Sequence, residues 1–93
     1  MSLPRVIYTA EELVKFYASC SDSVDLINGV IADDWIHNNY ATKTQAQKND
    51  MVDRNVTSLE WRMSIDAIAA DATSKTPYTN AIAAGKTYIE DNS

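Results

Sequence analysis

His37 is the only histidine in the chain, and Asp33 and Asp34 precede it by four and three residues. On a helix the four-residue spacing puts Asp33 and His37 on one face. A carboxylate–imidazole pair there could hold a metal ion or pass a proton. Two ligands fall short of a metal centre, however, and the sequence lacks the paired Glu-x-x-His segments of a di-iron bundle. A helix salt link or a plain exposed histidine is the stronger reading, and a small metal-dependent enzyme using Asp33 and His37 the weaker one.

Cys20 is the only cysteine, which excludes an intramolecular disulfide framework and any multi-cysteine metal site. As a nucleophile it would need His37 beside it and a further group to orient the imidazole, and no flanking pattern supplies one. Its helical spacing with Leu13, Phe16 and Tyr17 marks it instead as a small buried apolar residue. Asn55-Val56-Thr57 matches the glycosylation sequon but falls mid-helix, in a chain without a recognisable secretion signal. The carboxylate pairs Asp50/Asp53 and Asp66/Asp71 fall on polar ridges and read as solvated. There is no glycine-rich phosphate loop and no serine at a strand-to-helix elbow. The expectation is a non-enzymatic protein with no cofactor and no metal.

The elements that would position these residues are helical. Two glycines and two prolines in 93 residues are too few for a hairpin-rich fold. With 45% hydrophobic residues and a net charge of −5, the chain reads as one globular domain, 1–93. No apolar run approaches the roughly 18 residues that span a membrane, and the acidic balance argues against nucleic acid as a partner. Residues 1–40 carry six acids and two bases, so the acidity belongs to the first part of the chain.

Residues 1–8 read as a short extended arm whose Val6, Ile7 and Tyr8 could pack on the chain's own core or reach a neighbouring subunit. A first helix, 9–21, opens with a Thr9–Glu12 capping box flanked by the staple positions Tyr8 and Leu13. The serine cluster 19–23 is expected to end it. A second helix, 23–40, gathers Val24, Leu26, Ile27, Val30, Ile31 and Trp35 into one arc. Asp34 falls inside that arc. It either reaches Arg5, Arg54 or Arg62, or fixes register with a partner.

A third helix, 44–72, is expected to be the longest, capped by Thr42 with Gln45 or Thr44 with Gln47. It carries two apolar stripes on nearly opposite sides: Val52, Val56, Leu59, Met63, Ala67 and Ala70, and then Trp61, Ile65, Ile68 and Ala72. A fourth helix, 76–91, follows Thr76 as N-cap and Pro77 as first helical residue. It presents Tyr78, Ala81, Ile82, Gly85, Tyr88 and Ile89 on one side, where Ala81 and Gly85, four apart, would let another helix approach closely. The expected fold is all-α: an irregular four-helix bundle or orthogonal helical array, with one long central helix and a short extended N-terminal arm.

The second stripe of the long helix is open to two readings. Either other helices cover both of its faces, or one stripe, or the arm, completes an oligomer or docks on a larger protein. On the latter reading the partner-binding residues are Trp61, Arg62, Ile65 and Ile68, oriented by Arg54, together with Ile7 and Tyr8 of the arm. Tryptophan and arginine are the residue types that interface hot spots favour.

The segment Ala46–Ala69, centred on Asp53-Arg54-Asn55-Val56, Leu59-Glu60 and Met63, resembles one in short helical proteins of unknown function encoded by tailed bacteriophages. The opening Thr9-Ala10-Glu11-Glu12-Leu13 and the closing Ala81–Tyr88 are similar too. Trp61-Arg62 departs from the aliphatic pair expected at that place. The resemblance implies a phage product, a virion component, located in the virion or the host cytoplasm, and carries over no catalytic residue. Joined to the apolar stripe, it gives an assembly or protein–protein interaction protein that self-associates or joins a larger assembly. The alternative from another class is an acidic phage-encoded inhibitor. Glu11, Glu12, Asp22, Asp25 and Asp33 would then occupy a basic surface of a host protein.

Overall fold

A computed structural model describes residues 8–33 and 43–93. These residues form four helices and no strand: α1 (Ala10–Ala32), α2 (Gln45–Met63), α3 (Asp66–Ala69) and α4 (Thr76–Asp91). None of them is long and apolar enough to cross a membrane.

Helix α1 starts where the capping pattern places it. Thr9 N donates to Glu12 Oε1 at 2.9 Å, and Glu12 N donates to Thr9 Oγ1 at 3.2 Å. The expected break at 19–23 does not occur, and α1 runs for 23 residues through the serines. Cys20, Ser23, Ile27 and Val30 are all buried, at spacings of three, four and three, so the core stripe continues through the cluster. Ser19, Ser21, Asp22 and Ser23 each weaken a helix by about 0.5 kcal/mol relative to alanine. Burying Ile27 and Val30 contributes about 1.5–3 kcal/mol each, so packing outweighs propensity. The helix ends at Asp33, which adopts the left-handed conformation at φ 54°. The described part of the second helix expected over 23–40 is therefore the C-terminal half of α1, and 34–40 lies outside the described residues. Asp34, Trp35 and His37 lie outside the described residues, as do Val6 and Ile7.

Thr44 caps α2 with Gln47: Thr44 N donates to Gln47 Oε1 at 2.9 Å and Gln47 N to Thr44 Oγ1 at 3.1 Å. The continuous rod expected over 44–72 is broken. Helix α2 stops at Met63, Ile65 is extended at φ −67° and ψ 124°, and α3 is a single turn. The Ser64 hydroxyl donates to the Trp61 carbonyl oxygen, offering the backbone a local alternative to helix continuation. The bend has a packing consequence. On a straight helix Ile68 would fall opposite Val52, Val56 and Leu59, whereas here it is fully buried. Helix α1, not this segment, is the longest.

Helix α4 spans the expected 76–91, but Lys75 rather than Thr76 holds the cap position, with Pro77 in the first turn. Its inward residues are those expected: Tyr78, Ala81 and Gly85 are buried, and Ile82, Tyr88 and Ile89 pack against the core.

Helices α1, α2 and α4 each pack on the other two, and α3 leans on α2. The pairings fix their directions. Arg62 meets Phe16 at one end of α2 and Lys48 meets Asp33 at the other, so α2 is antiparallel to α1. Asn49 near the start of α2 donates to the Asn92 carbonyl oxygen just past the end of α4, and Glu60 near the end of α2 pairs with Lys86 further back along α4, so α2 is antiparallel to α4 as well. Cys20, Ile27, Val30, Val52, Val56, Leu59, Tyr78 and Ala81 form the core between them. Gly85 sits where α4 closes on the other two helices. A Cβ there would lie 2.5 Å from Val56 Cγ2 and 3.1 Å from Val52 Cγ1.

Candidate functional site

Val52, Val56 and Leu59 turn one face of α2 into the core. At 100° per residue, Asp50, Arg54, Thr57 and Trp61 share the opposite face, at spacings of four, three and four. All four are exposed. Arg54 Nε donates to Asp50 Oδ2 at 2.9 Å, one turn along the helix. Trp61 is 64% exposed; among the described residues Val14 is the other large apolar side chain left so open, with Ile31 less so.

The expected docking set does not stay together on this face. Arg62 follows Trp61 but points about 100° away, with its guanidinium 5.8 Å from the Phe16 ring centroid. It is half-buried against α1, beside the Cys20 thiol. Ile68 is in the interior and cannot form part of an exposed stripe. Ile65 is half-buried in the bend after α2. Tyr8 is half-buried against Phe16, ring centroids 5.7 Å apart, so it is already engaged within the chain. Ile7 lies outside the described residues. Arg54 and Trp61 alone share the outward face.

Of the chemical candidates, His37 lies outside the described residues and the others are engaged. Asp33 ends α1 and pairs with Lys48 at 3.7 Å. Among the described residues no group of three His, Cys, Asp or Glu side chains is placed to hold a metal ion. Cys20 is fully buried, and burial pushes its thiol up from the ordinary value although Arg62 opposes the shift. Asn55 donates to the Met51 carbonyl oxygen at 2.8 Å within α2.

A linkage that spacing did not reveal joins α1 to the segment before α4. The Tyr17 hydroxyl donates to Asp71 Oδ2 at 2.8 Å, and Thr73 N donates to the same oxygen at 3.1 Å. Hydrogen bonds from Thr73 and Tyr17 hold the Asp71 carboxyl below the usual range. Burial, then the Asp71 carboxylate, push the Tyr17 phenol up to about 12. Lys75 Nζ donates to the carbonyl oxygens of Asp71 and Thr73. Tyr17 also stacks on Tyr78, centroids 5.7 Å apart. The sequence signal was Asp71 two residues before Thr73, the spacing of an Asx turn; it marks the end of helical structure where a longer helix had been expected.

Charge separates the helices. α1 exposes Glu11, Glu12, Asp22 and Asp25 with Lys15 as its only base, whereas α2 carries Lys48, Arg54 and Arg62 against Asp50, Asp53 and Glu60. Compared with known protein families, curated proteins and solved structures, the chain matches none.

Proposed function

We propose that this chain is a non-enzymatic protein–protein interaction or assembly protein, an irregular helical bundle that docks through the outward face of α2. A bacteriophage virion, or the cytoplasm of the host, is the proposed setting, and that part rests on the resemblance around Asp53–Met63 alone. Trp61 carries the reading: a tryptophan 64% exposed on a face otherwise made of Asp50, Arg54 and Thr57. Burying a large apolar side chain against a partner contributes about 1.5–3 kcal/mol before ordering costs. The non-enzymatic part is supported, among the described residues, by the engagement of Cys20, Tyr17 and Asp71: Cys20 is buried with its thiol pushed up by burial, and Tyr17 and Asp71 are bound to each other.

The acidic outward side of α1 favours a second reading, an inhibitor that occupies a basic surface. Binding of that kind weakens steeply with salt, whereas docking through Trp61 does not.

A photo-activatable side chain at position 57 tests the first reading in extracts of the cells that make the protein. The expected result is a covalent product that disappears when Trp61→Ala is added. Absence of any Trp61-dependent product overturns it.

A further inference from the structure

We infer that the partner of this face is a second copy of the chain. The two copies would be joined by a two-fold, antiparallel pairing of their α2 helices that sets each Trp61 against the other copy's Arg54. The inference rests on the docking reading and supplies its partner.

Charge complementarity makes the first argument. Two copies meeting through α1 would bring Glu11, Asp22 and Asp25 against the same acids, opposed only by Lys15. Helix α2 is balanced, and the two charges on its outward face, Asp50 and Arg54, are opposite in sign. This is the long helix of the described structure that a second copy can meet without net repulsion; α4 carries Glu90 and Asp91 against Lys86.

Geometry makes the second. A two-fold interface requires a patch that complements itself, residue i meeting j and j meeting i. Arg54 and Trp61 are seven residues apart on one face, about 10.5 Å along the helix. An axis passing between Thr57 and Ser58 superposes each on the other's partner, so one guanidinium–indole contact forms twice. Cations favour the face of tryptophan above other rings. The Asp50 carboxylate already holds Arg54 along the helix at 2.9 Å, which lowers the ordering cost of the contact. Thr57, at the crossing point, is small enough for the helices to approach.

Size sets the strength. Nineteen residues make a helix about 28 Å long. One helix face of that length covers less than the roughly 800 Å² per partner of a standard interface. The association is therefore weak and concentration-dependent.

The test is sedimentation of the purified full chain from micromolar to about millimolar concentration, with disulfide trapping at the proposed axis. Wild type should rise from its 10.3 kDa mass towards twice that value. Trp61→Ala and Arg54→Glu should each weaken association about tenfold or more, with far-UV circular dichroism unchanged. Arg54→Lys, which keeps a cation against the partner indole, should retain part of the association. Thr57→Cys should link two chains when diamide accepts the two thiol hydrogens and their electrons, whereas Asp22→Cys on α1 should not; Cys20 can stay because it is buried. A mass fixed at 10.3 kDa throughout, self-association indifferent to Trp61→Ala, or equal trapping from positions 22 and 57 overturns the inference. A Trp61-dependent product from position 57 with some other protein would then leave the docking reading standing, and no such product would remove both.

Discussion

The hydroxyl of Tyr17, in the second turn of α1, donates to Asp71 Oδ2 at 2.8 Å across 54 residues of sequence. One bond thereby ties α1 to the segment that turns the chain from α3 into α4. The same carboxylate accepts from Thr73 N, and Tyr17 stacks on Tyr78 in the first turn of α4. Removing either partner should loosen the α3–α4 connection before it affects the core around Ile27 and Val56.

That bond predicts a stability profile with two edges. The folded-state pKa of Asp71 lies below the ordinary aspartate value of 3.8, so its contribution is complete above that pH and is lost as pH falls through the lowered value. Glu12, held down by its hydrogen bonds to Thr9, adds to the same acid edge. The phenol of Tyr17 is raised from 10.0 to about 12, so its contribution is complete below pH 10 and declines between those values. Thermal melts across pH should show Tyr17→Phe shrinking the alkaline decline and Asp71→Asn shrinking the acid one. A pH profile unchanged in both variants would contradict the bond.

Gly85→Ala should destabilise the protein despite alanine's better helix propensity, which favours the substitution by about 1 kcal/mol. The added Cβ would meet Val56 Cγ2 at 2.5 Å, and a valine on a helix has little χ1 freedom to yield. Overpacking costs about 1–3 kcal/mol, leaving a net loss of up to about 2 kcal/mol. Urea denaturation checks the sign. Gly85→Ala in a Val56→Ala background should recover stability, because the space is then vacant.

Trp61 and Ile68 belonged to one stripe in the sequence and should part company in denaturation experiments. Trp61→Ala removes an exposed side chain and should alter stability by less than about 0.5 kcal/mol. Ile68→Ala removes a fully buried one and should cost about 2–5 kcal/mol. Equal effects would restore the single stripe.

The contrast shows what the chain discloses locally. Thr9 with Glu12 states the start of α1 outright, and Thr44 with Gln47 is one of two boxes the sequence offers for α2, because a capping box closes within four residues. The inward residues of α4 follow from periodicity alone. The helix ends do not. Serines 19, 21 and 23 carry a weak local cost that the distant Val52, Val56 and Gly85 overrule by covering Ile27. The extended Ile65 has neither glycine nor proline to announce it; what favours the bend is burial of Ile68, which only the finished packing defines. The same bend disperses the candidate site. Arg62 turns to Phe16 and Ile68 turns inward, so of the residues read as one surface Arg54 and Trp61 are left sharing an outward face.

Cys20 should resist thiol reagents in the native protein. It is fully buried and its thiol is pushed up by desolvation. At pH 8 the native chain should react on the order of a hundredfold slower than the urea-unfolded chain, because labelling waits for local opening. Comparable rates would mean that α1 does not close on α2 and α4.

The central claim is that the Trp61 face of α2 docks on another protein. Its most direct test is photo-crosslinking from position 57 in chains carrying Trp61 or alanine there. A product formed with Trp61 present and lost on Trp61→Ala is predicted. A product of equal yield in both chains, or none in either, would contradict it.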